Sequence, residues 1–195
     1  FGMQMGPFRI MDEIGLDVTL HSGWSIRSEL PDAVTAEIIL AAMVEDRRFG
    51  RKNGRGFYTW QTTQTQWIED GAFDPNLDTL IQHVLVDHRT HTQYRHVLPD
   101  TEIALRMFLP VLMEAGRIVE AGIVPSFEQT DAALTLGLGF PADRGGICFW
   151  ADSFGLTQLL LASARRDKLG RRYSVPDILM RAADNNKRLI QEVEP

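Results

Sequence analysis

The sequence predicts a mainly α-helical protein, built as two helical units in tandem with one small β-hairpin. Three observations predict it. Apolar residues recur at helical spacing, as in Val34, Ile38, Ile39, Ala42 and Met43. One stretch repeats: Gly6, Asp12 and Gly15-Leu16 return with the same spacing as Gly146, Asp152 and Gly155-Leu156. The helical pattern breaks at GRKNGRGFYTW, residues 50–60, where a glycine-rich basic run leads into consecutive aromatic and β-branched residues.

The elements follow in order. Pro7 suits a first helical turn and Gly15 the end of a short helix from about Pro7 to Ile14. A second helix runs from Asp17 to about Glu29. Pro31-Asp32 starts a third, which Gly50 ends. Phe57-Tyr58-Thr59-Trp60 favours a strand, Gln66-Trp67-Ile68 is its partner, and Thr62 to Thr65 form a polar turn. Asp70 to Pro75 reads as a loop, and residues 77–98 as weakly helical. Pro99-Asp100 opens a long helix to about Ala121, which Pro110 should kink or leave with an unpaired carbonyl and Gly122 stops. Ser126 with Gln129 reads as a capping box, and Gly137 ends that helix. Helices follow at about Gly146–Phe154, Leu156–Arg166 and Pro176–Lys187. The repeat boundary lies near residue 98. With no Ser/Gly/Pro linker there, the units 1–98 and 99–195 are expected to pack together. Phe8 and Ile14 in one copy, and Phe149 and Phe154 in the other, are expected to face a core.

The bulk numbers narrow the class. A formal charge of −6 argues against nucleic acid or an anionic membrane as the main partner. No apolar run approaches ~18 residues, so no membrane span is expected. The single cysteine, Cys148, excludes a disulfide framework and fits a reducing, cytosolic setting. It lies between Ile147 and Phe149-Trp150, which suits a buried structural thiol. The chain lacks an initiator Met and opens inside a motif, so it is expected to be part of a longer polypeptide.

Candidate chemistry is sparse. The loop Gly50-Arg51-Lys52-Asn53-Gly54-Arg55-Gly56 offers backbone amides and cations suited to phosphate, with a solvated turn as the plainer alternative. It is neither a Walker loop nor a dinucleotide fingerprint. His83, His88, His91 and His96 cluster, and His21 stands apart. A zinc site would want a third ligand beside His88 and His91, so solvated histidines are expected and no metal. Asp12 and Asp152, at matching places, are expected to pin turns. Glu102, Arg106 and Glu114 share one helix face, which suggests an arginine between two carboxylates in an ion-pair network. Phe57, Tyr58, Trp60 and Trp67 read as core rather than a base-stacking platform.

Four of these segments together resemble the C-terminal region of the 3-hydroxyacyl-CoA dehydrogenases. Met5-Gly6-Pro7-Phe8 with Asp12 and Gly15-Leu16-Asp17 resembles the motif closing the family's first helical unit. Gly50-Arg51-Lys52-Asn53-Gly54-Arg55-Gly56-Phe57-Tyr58 is similar to its Gly-Arg-Lys-Thr-Gly-Lys-Gly-Phe-Tyr loop. Arg106, Pro110, Glu114-Ala115 and Gly122 match the long helix of the second unit. Gly139-Phe140-Pro141, Arg144-Gly145-Gly146 and Asp152 match its closing motif. Ile147 departs from the Pro that commonly follows Gly-Gly there.

The resemblance implies a fold of the 6-phosphogluconate dehydrogenase C-terminal-domain type. Two tandem units point to the multifunctional α-subunit of fatty-acid β-oxidation, where they pack like a dimer. It implies hydride transfer from a 3-hydroxyacyl-CoA to NAD⁺ with a histidine base. The NAD site and the catalytic residues would lie in a Rossmann domain absent from this chain, with an enoyl-CoA hydratase domain further upstream. No catalytic or cofactor-binding residue is therefore expected here, and the fragment alone is expected to be inactive. Met5, Gly6, Pro7 and Phe8 are candidates for the acyl pocket wall, and Arg51, Lys52 and Arg55 for a phosphate contact. The implied partners are acyl-CoA, the protein's own Rossmann domain and a thiolase β-subunit, in a bacterial cytoplasm. The alternative is a non-catalytic helical module that binds acyl-CoA or docks a thiolase.

Overall fold

A computed structural model of the chain describes residues 1–26, 34–62, 67–87 and 98–190. The chain divides into two compact units. One is Met5–His96, and the other joins Phe1–Gln4 to Val97–Pro195. Both are mainly helical, and among the described residues the one sheet is a two-stranded antiparallel hairpin.

In the unit Met5–His96, α1 (Pro7–Ile14) and α2 (Leu16–Ser25) meet at Gly15. There follow α3 (Val34–Glu45), strands β1 (Tyr58–Thr62) and β2 (Trp67–Phe73), and α4 (Leu77–Asp87). Leu16, Met43, Phe57 and Leu77 form the buried centre, with Met11, Ile39 and Leu40 packed around it. Boundaries differ from the sequence reading, and α2 ends at Ser25 rather than near Glu29. Helix α3 stops at Glu45, well before Gly50. Arg47 takes a left-handed conformation (φ 57°), and the amides of Arg47 and Arg48 bond back to Val44 and Met43. That closure is usually made with glycine, so a search for glycine overshoots it. Strand β2 runs to Phe73, through the stretch read as a loop. A bulge lets Phe73 pair with Tyr58, and their rings lie 4.6 Å apart.

In the second unit, α5 (Asp100–Glu120) continues through Pro110 and ends at Gly122, where the amides of Gly122 and Ile123 bond back to Val119 and Ile118. Next come α6 (Phe127–Leu138), α7 (Ile147–Phe154), α8 (Leu156–Ala164) and α9 (Asp177–Asp184). Short 3₁₀ turns lie at Ala142–Arg144, Asp167–Leu169 and Arg171–Tyr173. Ser126 caps α6 by accepting from the Gln129 amide at 3.4 Å. The helix runs past Gly137 and ends at Gly139, the residue in the left-handed conformation. The core gathers Leu109, Leu112 and Met113 of α5 with Ile147, Ala151, Leu159 and Leu179. Phe1 belongs to this unit: its ring stacks on Phe108 at 3.6 Å and lies under the Arg144 guanidinium at 4.3 Å.

Two further expectations are corrected. Phe8, Ile14, Phe149 and Phe154 are not buried in a core, being 44%, 51%, 47% and 53% exposed. An eight-residue helix can bury one narrow stripe. In α1 that stripe carries Asp12, and Ile14 lies about 200° round the helix from it. The ion-pair network also has another centre. Glu102 accepts from Arg106 (2.7 Å) and from Arg166 beyond α8, whereas Glu114 pairs with Arg117. The carboxylate sits between two arginines, not the arginine between two carboxylates.

The hydrogen bonds from Arg166 and then Arg106 hold the Glu102 carboxyl below the ordinary glutamate range. With the folded pKa depressed, the linked stability is present above the unfolded pKa and lost as pH falls through the folded one. Glu102→Gln should therefore narrow the gap in melting temperature between neutral pH and about pH 3. An unchanged gap in circular-dichroism melts would refute the linkage.

Candidate functional site

The densest polar arrangement surrounds Asp12. Its side chain is 0% exposed. One carboxylate oxygen accepts from the Phe57 amide at 2.9 Å. The other accepts from the Tyr58 amide at 3.0 Å and the Trp60 indole at 2.9 Å. Its backbone carbonyl accepts from the Arg51 amide at 2.9 Å. The loop therefore wraps closely over α1. A Cβ at Gly50 would collide with the Asp12 backbone, and one at Gly56 with its carboxylate. Two of the glycines that suggested a phosphate cradle are there for this close approach.

The cations of the loop turn onto the chain's own acids. Arg51 meets Glu13 at 2.5 Å, and Lys52 meets Asp17 at 2.6 Å. Arg55 reaches Asp74 at 3.1 Å and Asp46 at 3.3 Å. Beneath them Arg48, fully buried, bonds Asp74 (2.8 Å), Asp46 (2.9 Å) and the Gly56 carbonyl (3.1 Å). Burial pushes the Asp74 carboxyl up, but the Asn76 amide and the Arg55 and Arg48 guanidiniums outweigh it and hold it low. The Asp17 carboxyl is lowered first by its bond to Lys52. Sequence reasoning missed Arg48 and Asp74, which stand 26 residues apart in unpatterned surroundings.

The other candidates lie on the surface beside this hub. Met5, Gly6, Pro7 and Phe8 are all exposed. Phe8 stacks on buried Phe57 at 4.4 Å and meets Phe73 edge-on at 6.3 Å. With Tyr58 they form an aromatic shelf open to solvent. Phe57 and Trp60 are buried, as expected of core residues. His21 and His83 are exposed, and His88, His91 and His96 lie outside the described residues.

The second unit repeats the anchor in simpler form. Asp152 on α7 accepts from the Leu189 and Ile190 amides at 3.0 and 2.9 Å. Gly15 and Gly155 share a positive φ (106° and 111°), as do Arg47 and Asn186 after α3 and α9. The units diverge between that turn and the anchored segment. Residues 48–56 fill the interval in one, and only residues 187 and 188 in the other. The basic loop is thus confined to Met5–His96. Asp131, which sequence reasoning also missed, accepts from the amides of Cys148 (2.9 Å) and Phe149 (2.8 Å) at the start of α7. Burial raises its carboxyl.

The described residues offer buried anchors that hold backbone and surfaces that face solvent. Burial, and then Asp131, push the Cys148 thiol far above its ordinary range, so it stays protonated and inert. Among the described residues no three His, Cys, Asp or Glu side chains are grouped to hold a metal. No single described helix is long and apolar enough to cross a membrane.

Comparison with known proteins bears on these surfaces. Residues 1–60 and 103–192 match the family described as 3-hydroxyacyl-CoA dehydrogenase, C-terminal domain. The fold is similar to that in the crystal structure of the dehydrogenase part of multifunctional enzyme 1 from C. elegans, with a TM-score of 0.61 and 22% identity. That likeness covers 92% of this chain and 39% of the nematode one.

Asp12→Ala would leave two backbone amides and an indole N–H without their acceptor, and should cost about 3 kcal/mol or more. Asp152→Ala strands two half-buried amides and should cost about 1–2 kcal/mol. Urea unfolding of the two variants measures the difference, and equal losses would contradict the ranking.

Proposed function

Because the chain belongs to the family of 3-hydroxyacyl-CoA dehydrogenase C-terminal domains, we propose that it is the substrate-side part of an enzyme that oxidises 3-hydroxyacyl-CoA to 3-oxoacyl-CoA with NAD⁺. The observation that carries this is the family match across both units. The tandem arrangement supports a multifunctional β-oxidation protein. In such an enzyme NAD⁺ takes the hydride from C3 of the substrate. This chain does not fit that cofactor: among the described residues the one sheet is an antiparallel hairpin, and no parallel strand–turn–helix unit is present to seat a dinucleotide. On this reading its residues contribute binding surface, and an assay of the fragment alone should give no turnover.

Within that reading, Met5, Gly6, Pro7 and Phe8 form the wall met by the acyl chain. Phe8 is suited to it because Phe57 supports the ring from below while its outer face is open. A phosphate contact through Arg51, Lys52 and Arg55 has less support, since each cation already has a carboxylate partner that a phosphate would have to displace.

The test is NAD-dependent oxidation of 3-hydroxyacyl-CoA by the full-length polypeptide that carries this chain. No turnover with short, medium or long acyl chains would end the proposal. In an active enzyme, Phe8→Ala should raise KM about tenfold through lost apolar contact, with little change in thermal stability. An unchanged KM with a large loss of stability would make Phe8 a purely structural residue.

A further inference from the structure

The duplicated plan puts a loop in one unit where the other has open space. In the unit Met5–His96 the basic loop lies across the elbow between α1 and α2. The Arg51 amide donates to the Asp12 carbonyl at 2.9 Å. Lys52 passes so close to Gly15 that a Cβ there would strike it, and its ammonium meets Asp17 at 2.6 Å. The matching elbow of the second unit, between α7 and α8, is made by Asp152, Gly155 and Thr157. No loop crosses it, because only residues 187 and 188 separate Asn186 from the anchored Leu189. Among the described residues the Asp152 carbonyl accepts no amide from beyond its helix. A Cβ at Gly155 would meet Gln158 first, at 3.7 Å, which is an ordinary contact.

In that place lies a cavity of about 360 Å³, lined by Asp152, Gly155 and Thr157 and by Asn186, Lys187 and Arg188. Its size is in the range of ligand sites. Its charge reverses that of the first elbow. Thr157 stands where the first unit has Asp17, the acid that holds Lys52. The Asp152 carboxylate is engaged by the Leu189 and Ile190 amides at 3.0 and 2.9 Å. Lys187 and Arg188 are exposed at the cavity, and Lys187 makes no ion pair among the described residues.

We propose that this cavity docks an acidic peptide segment of a partner chain, seated across the α7–α8 elbow as the basic loop is seated across the α1–α2 elbow. The peptide character follows from the duplication. The first elbow, with the same positive φ at its glycine (106° against 111°), already holds a stretch of backbone by an amide bonded to the aspartate carbonyl. The acidic character follows from the side chains. A segment entering the second elbow meets Lys187 and Arg188, with no counterpart of Asp17. Backbone bonding would set the register of the peptide, and the reversed charge would select its sequence. The proposal stands on the duplicated geometry and does not depend on the dehydrogenase reading.

The test is NMR titration of the isotope-labelled chain with two synthetic peptides. One has the sequence of residues 49–56, FGRKNGRG, and the other is its acidic counterpart, FGEENGEG. The acidic peptide should shift the amides of Gly155, Thr157 and Lys187 saturably, and the basic one should bind about tenfold more weakly. Thr157→Asp with Lys187→Glu should reverse that preference without moving the melting temperature, since both side chains are exposed. Thr157→Asp alone should reduce the preference about threefold, and serves if the double variant does not fold. The proposal is overturned if the acidic peptide leaves those amides unmoved, if both peptides bind alike, or if the variants keep the native preference. Equal shifts with acetate or inorganic pyrophosphate would make this a small-anion site and overturn it too. So would binding that appears only in a chain shortened to residue 190, which would give the place to residues 191–195.

Discussion

The Asp12 carboxylate is the interaction on which the unit Met5–His96 depends. An eight-residue helix such as α1 is too short to persist alone in water. Its inward stripe carries an acid rather than a hydrophobe, which would be costly unless the acid were fully hydrogen-bonded. The Phe57 and Tyr58 amides and the Trp60 indole meet that need, and in doing so fasten the start of the hairpin to α1. The consequences spread outward. The loop must pass so close that Gly50 and Gly56 tolerate no side chain, and Phe57 is brought under Phe8. The loop cations come within reach of Glu13, Asp17 and Asp74.

The duplicated plan shows which parts of this arrangement are general. Both units have a short helix carrying an aspartate, a positive-φ glycine, a second helix opening on leucine, and a helix closed by a left-handed residue. In both, the aspartate holds the backbone that follows that closure. What differs is the interval between closure and anchor. The buried Arg48, its partner Asp74 and the basic loop belong to the longer version. The second unit instead has a long α5 that packs Leu109, Leu112 and Met113 into a larger core. There Asp131 caps α7, and Glu102 ties α5 to the residue beyond α8.

Function follows from what these anchors leave exposed. The polar groups held tightest, Asp12, Arg48 and Asp131, are structural, and Cys148 is sealed and inert. What faces solvent is an aromatic shelf at Phe8 and Phe73.

The sequence by itself determined the helical class, the duplication, the place of the hairpin and the family. Those rest on local period, on turn residues and on motifs whose spacing survives in one dimension. It also marked Asp12 and Asp152 as pins for turns, since an acid recurring at the same place in a repeat is legible along the chain. Only the tertiary structure decided what each pin holds, because the partners of Asp12 are backbone amides 45 and 46 residues away. It alone placed Phe8, Ile14, Phe149 and Phe154 at the surface, since a short helix cannot reveal which stripe its neighbours will cover. It also paired the cations of the glycine loop with acids, where in sequence they are a bare run of Arg and Lys. Charge compensation depends on which acids the fold brings within about 4 Å, and that distance is not written along the chain.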